Sequence, residues 1–184
     1  MMNSLLSLIA ILMLAGCTAI AYKTVPVDSA LPPDAEKLTK CPSTLNPGTS
    51  CTARVQADQW ISPTGIQAEE RESYCIAVLP NQVWFDASRR NSPPYGEKGS
   101  WVMNHLAKKR HEAGYFSLMV DIQSKAAQGD TAKPVADLPR GRYTAQGAGE
   151  LVLYPNDAIS PSYDPAYYYR NNSGYIWVTV MRCE

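Results

Sequence analysis

Residues 175–182 alternate strictly between two chemical faces. Ile176, Val178 and Val180 share one face, and Tyr175, Trp177, Thr179 and Met181 share the other. A period of two fits an extended strand with one face turned to a core. Residues 115–122 repeat the pattern, with Phe116, Leu118, Val120 and Ile122 against Tyr115, Ser117, Met119 and Asp121. Residues 51–57 show it more weakly, through Ala53, Val55 and Ala57. Residues 73–79 are rich in β-branched and aromatic side chains, which suit a pleated surface. Residues 60–66 read as a strand end and turn punctuated by Pro63 and Gly65, and residues 82–86 as a short strand. Many short strands separated by Gly and Pro predict an all-β sandwich. One short helix is expected over residues 101–112. Ser100 is its N-cap, Trp101, Val102 and Leu106 form its apolar face, and the basic run Lys108-Lys109-Arg110-His111 closes it.

The start of the chain is of a different kind. Residues 5–15 are apolar but too short to span a bilayer comfortably. They end in Leu14-Ala15-Gly16-Cys17, which resembles the lipobox of bacterial lipoprotein precursors. Residues 1–16 are therefore expected to be a signal peptide, and Cys17 the lipidated first residue of the mature chain. Residues 17–40 carry Pro26, Pro32 and Pro33 among small and charged residues, and read as a lipidated tether. Residues 41–184 form the folded domain. An anchored envelope lipoprotein follows, and the absence of an Asp after Cys17 points, by analogy, to the outer membrane. The lipid is the expected link to the membrane.

Five cysteines occur, and four remain once Cys17 carries lipid: Cys41, Cys51, Cys75 and Cys183. An even remainder in an exported chain reads as two disulfides. Three pairings are possible. Cys41–Cys51, around Asn46-Pro47-Gly48, with Cys75–Cys183 is the favoured one. No CxxC spacing suggests zinc, and His105 and His111 lie six apart, too far to share a helix face as an i,i+4 pair.

Lys and Arg number 17 and Asp and Glu number 17, so no net field draws nucleic acid. No nucleophile elbow, P-loop or dinucleotide fingerprint occurs, and the expectation is a protein that is not an enzyme.

Oxygen-bearing groups gather near the carboxy terminus. Asp157, Asn171 and Asn172 flank a loop between two strand-like runs, and Asp86 or Asp164 could add a second carboxylate. Hard cations take such ligands. The same dipeptides, Asn-Asp and Asn-Asn, also make ordinary turns. Tyr167, Tyr168 and Tyr169 offer rings for a ligand, or equally a cover for the sandwich edge.

Leu153-Tyr154-Pro155-Asn156-Asp157-Ala158, then Tyr-Arg-Asn-Asn-Ser-Gly at 169–174 and the alternating last strand, resemble the end of the PA-I galactophilic bacterial lectins. Upstream, residues 116–122 and Val83-Trp84 are similar to parts of that family. The resemblance implies a jelly-roll, galactose-binding-like sandwich. It implies calcium held by Asp157, Asn171 and Asn172, with carbohydrate as the ligand. Three departures accompany it, the first being that the family's Tyr that offers a backbone carbonyl to calcium has no match, Ala87 falling nearest. The stretch from Asp157 to Asn171 is longer than in the family, and the family's sugar-binding His and Gln have no match between Arg89 and Glu97. Two functions therefore stand side by side: a calcium-assisted carbohydrate-binding lipoprotein, or an interaction subunit of an envelope assembly that has lost sugar binding.

Overall fold

A computed structural model describes residues 41–79, 81–86, 90–99, 108–126, 131–160 and 164–183. The expected signal peptide, the lipidation site Cys17, the tether and residues 100–107 lie outside them. Among the described residues, no helix is long and apolar enough to cross a membrane.

The chain forms two four-stranded antiparallel sheets packed face to face. Strands β1 (Ser50–Gln56), β12 (Tyr175–Arg182), β3 (Ser73–Val78) and β9 (Arg142–Thr144) make the first, in that spatial order. Strands β2 (Ser62–Ala68), β10 (Gly149–Pro155), β7 (Leu118–Ile122) and β8 (Lys133–Pro134) make the second. Two small ribbons sit beside them: β4 (Trp84–Phe85) with β5 (Arg90–Ser92), and β6 (Lys108–Lys109) with β11 (Ala158–Ile159).

Alternation sets the core. Val55 from β1, Ile76 and Val78 from β3, and Ile176, Val178 and Val180 from β12 point inward from the first sheet. Ile66 from β2, Val120 and Ile122 from β7, and Leu151 and Leu153 from β10 meet them from the second. Burying each such side chain stabilises the fold by about 1.5–3 kcal/mol. Trp84 is fully buried and its indole N–H donates to the Phe116 carbonyl at 3.0 Å. That bond ties β4 to the segment leading into β7.

Disulfides join Cys41 to Cys51 and Cys75 to Cys183, with Cα atoms 5.4 and 5.7 Å apart. The second links β3 to the residue after β12, across 108 positions of sequence.

Two local expectations are corrected. The basic run is not a helix end. Lys108 and Lys109 are extended and pair with Ile159 and Ala158, and residues 110–113 bend. The remainder of the expected helix, residues 101–107, lies outside the described residues. Pro63 and Gly65 lie inside β2 rather than ending a strand. β2 is an edge strand, where a missing N–H is tolerated, and the register shifts opposite it between Glu150 and Val152. Gly65 takes φ +92 at this irregularity, and its N–H donates to the Glu150 carboxylate at 2.7 Å. Among the described residues the helical structure is one turn, Gln123–Ala126, and short 3-10 segments.

Candidate functional site

Three segments converge at one end of the sandwich. The first is the elbow between β10 and β11, which carries Asn156 and Asp157. The second is the 3-10 segment Tyr167–Asn171 with the turn into β12. The third is the end of β4, followed by Asp86. A two-way backbone bridge holds the last two together: Phe85 N–H donates to Ser173 O at 3.0 Å and Ser173 N–H to Phe85 O at 2.8 Å.

Asp157 lies only 4% exposed. Its Oδ1 accepts the Ala158 N–H at 2.6 Å, and its Oδ2 accepts the Asn172 side-chain amide at 2.7 Å. The same Asn172 amide donates to Ala57 O at 3.2 Å, at the end of β1. Burial pushes the Asp157 carboxyl up to about 6, with the nearby Asp86 carboxylate adding to the rise and the two hydrogen bonds opposing it. Asn172 Oδ1 is buried and has no hydrogen-bond partner. A buried amide oxygen left without a donor costs about 1–3 kcal/mol. Both Asp157 oxygens keep a second lone pair beyond the bonds described. The rim thus combines two carboxylates and an unused amide oxygen, the donor chemistry of a hard cation.

The expected residues divide. Asp157 and Asn172 are in contact, while Asn171 is exposed beside them at the end of the 3-10 segment. Asp164 is engaged elsewhere, in an exposed ion pair with Arg170. Asp86 is the second carboxylate near Asp157, close enough for its charge to help raise the Asp157 carboxyl. Among the described residues no group of three or more His, Cys, Asp or Glu could hold a metal; the present cluster rests on amide oxygen in addition to two carboxylates.

The tyrosine run also divides. Tyr167 is exposed, Tyr168 packs partly against the core and Tyr169 is fully buried. Tyr169 therefore offers no face to a ligand. Its hydroxyl donates to Pro155 O at 2.8 Å and accepts the Asp157 N–H at 3.4 Å, so it braces the elbow from within. Replacing Tyr169 with Phe removes both bonds while keeping the ring. The expected result is a loss of about 1–2 kcal/mol, read from chemical denaturation.

Two supports were not legible as such. Arg110 lies between two rings, its guanidinium carbon 3.7 Å from the Trp60 centroid and 3.9 Å from that of Tyr154. Its side chain donates to Trp60 O at 2.6 Å and its backbone N–H to Asp157 O at 3.0 Å. Trp60 in turn contacts Tyr169, with centroids 5.1 Å apart. Planar guanidinium groups stack in this way, and ammonium groups do not. Asn156 is wholly buried and bonds the backbone of residues 111–114 through its side chain. In sequence, Arg110 is one member of a basic run and Asn156 half of a turn dipeptide. Neither carries a signal of its own.

No family model matches the chain, and no curated protein matches it. Among solved structures, one that it is similar to is described as "EclA N-terminal domain; PllA-like lectin". The identity is 17% and the TM-score 0.44, over 71% of this chain and 94% of that one.

Proposed function

We propose that this protein is a non-catalytic, lipid-anchored module of the bacterial envelope. Its β10–β11 rim holds a calcium ion, and the ion binds carbohydrate. The single observation that carries the reading is the unpartnered Asn172 oxygen, buried beside a carboxylate that burial and Asp86 already force toward neutrality. A divalent cation relieves both costs at once: it gives the amide oxygen a partner and compensates the two carboxylates. Asp157, Asn172 and Asp86 would hold the ion, with the exposed Asn171 at the lip, and the open positions would go to sugar hydroxyls. The lectin-type fold and the outer-membrane anchor belong to this reading through the sequence resemblances of residues 153–174 and 14–17. The alternative, an assembly subunit that binds a protein, is separated from it by chelator.

The mature protein titrated with calcium by calorimetry is expected to give binding heat and a rise in melting temperature at millimolar ion, and Asp157→Ala to abolish both. Absence of heat and of any melting shift overturns the calcium site. Glycan binding that survives chelator overturns the ion's role in it.

A further inference from the structure

Two aromatic rings reach solvent beside the candidate cation site, Phe85 at the end of β4 and Tyr175 at the start of β12. Phe85 and Tyr175 keep 40% of their surface in solvent. Phe85 immediately precedes Asp86, and Tyr175 follows Asn172 by three residues. Gly174 lies beneath the Phe85 ring: a Cβ there would come within 2.9 Å of Phe85 Cδ2, and the residue takes φ +86. A side chain at 174 would thus both strain the backbone and displace the ring. Tyr175 is fixed in a different way. Tyr175 and Trp177 pack in a T-shaped pair, with centroids 5.7 Å apart at 80°, and the Arg54 guanidinium carbon lies over the Tyr175 ring, 4.8 Å from its centroid.

The order along the sheet is continuous. Ala57 receives the Asn172 amide, Gln56 faces Tyr175 across the β1–β12 ladder, and Arg54 faces Trp177. At a strand rise of roughly 3.3 Å per residue, Arg54 stands about 10 Å along β1 from the Asn172 contact. The Trp177 indole N–H is buried there without a partner. Rings held in place before binding lose little freedom when a ligand stacks on them. Two rings are far too small an area for a stable protein interface, which takes about 800 Å² from each partner. They match the apolar C–H face of a sugar ring. The exposed Arg54 guanidinium beside them favours a sugar that carries a carboxylate.

We infer that the patch of Phe85, Tyr175 and Arg54 is a second sugar subsite, which takes an acidic residue of an oligosaccharide whose neighbouring sugar sits on the cation site. This rests on the proposed carbohydrate function, and the experiment keeps the two apart. Wild type, Tyr175→Ala and Arg54→Gln are first titrated with calcium alone. They are then titrated, at fixed free calcium, with a galacturonic acid trisaccharide and with the neutral galactose trisaccharide.

Unchanged calcium affinity is expected in all three proteins. Wild type is expected to bind the acidic trisaccharide about tenfold more tightly, the worth of one charge-assisted contact. Arg54→Gln should erase that preference and leave neutral binding intact. Tyr175→Ala should weaken both sugars about tenfold while its melting temperature stays near wild type. Equal binding of both sugars by wild type, or a preference that survives Arg54→Gln, overturns the subsite and leaves the calcium reading standing. Loss of calcium binding in wild type itself overturns both.

Discussion

In the presence of chelator, the protein should lose about 3 kcal/mol of stability as pH rises from about 4 to above 6, and Asp157→Asn should remove most of that loss. The origin is the buried carboxyl of Asp157, whose ionisation moves from 3.8 up to about 6 on folding, chiefly through desolvation. Between those values the native state holds a proton that the unfolded chain has released. Stability therefore falls with rising pH in that window, and the contribution is gone once pH passes the folded value. A carboxyl that ionises about two pH units higher in the folded state than in the unfolded chain accounts for about 3 kcal/mol. Asp121, whose carboxyl is also raised by burial, pulls in the same direction. Glu72 works the other way: burial acts to raise it, but its bonds from Tyr74 and Glu69 and the nearby Arg182 together hold it low. Both groups are present in the variant too, so the difference between the two denaturation profiles isolates Asp157. Calcium should invert the trend. The ion requires the ionised carboxylate, so it stabilises the protein above pH 6 and has little effect near pH 4. Parallel profiles for wild type and Asp157→Asn would remove Asp157 as the titrating group.

How much of this is legible in the sequence depends on the length of each signal. β12 can be read residue by residue, since eight positions alternate and Ile176, Val178 and Val180 turn into the core, although Trp177 on the other face is buried as well. The two-residue strands cannot. Lys108 and Lys109 are too few to display a period, and next to an apolar run they imitate the cationic end of a helix. Pro63 and Gly65 read as a turn, because their place on an edge strand opposite an irregular register is a property of β10 as well as β2. The site is legible in its chemistry and only partly in its geometry. Asp157 and Asn172 do meet, yet Asn171 and Asn172 are adjacent and identical in type. Only the 3-10 segment decides that one turns inward and the other out. The same segment hides Tyr169 and exposes Tyr167. A run of three tyrosines has no internal mark of which ring goes where.

The site is also braced by a residue that no ligand role singles out, and Asn156→Ala should be clearly destabilising. Asn156 Oδ1 accepts the His111 N–H at 2.9 Å, and its amide donates toward the carbonyls of His111, Ala113 and Gly114 at 3.2, 3.1 and 3.0 Å. Its backbone is held as firmly, with Phe116 N–H donating to Asn156 O at 2.7 Å and Asn156 N–H to Ser117 O at 2.8 Å. One side chain thus braces the bend, with Lys109 Nζ also donating to Ala113 O at 2.8 Å. Truncation removes the Asn156 side-chain bonds, although Ala113 O keeps Lys109 Nζ and Gly114 O keeps the Ser117 N–H at 3.2 Å. At a net worth of about 0.5–1.5 kcal/mol per hydrogen bond lost, a loss of about 2–3 kcal/mol is expected. Asn156→Asp distinguishes this account from simple loss of volume. The shape is nearly unchanged, and the acceptor for His111 N–H survives, but at neutral pH the carboxylate oxygen that replaces the amide nitrogen would face three carbonyls with no proton between them. That variant should be as unstable as Asn156→Ala at pH 7 and recover as acid returns a proton able to donate. Denaturant midpoints at pH 5 and pH 7 for both variants decide it. If Asn156→Asp is tolerated at neutral pH, the amide is not what holds residues 111–114, and the elbow carrying Asp157 must be fixed by Arg110 and Tyr169 alone.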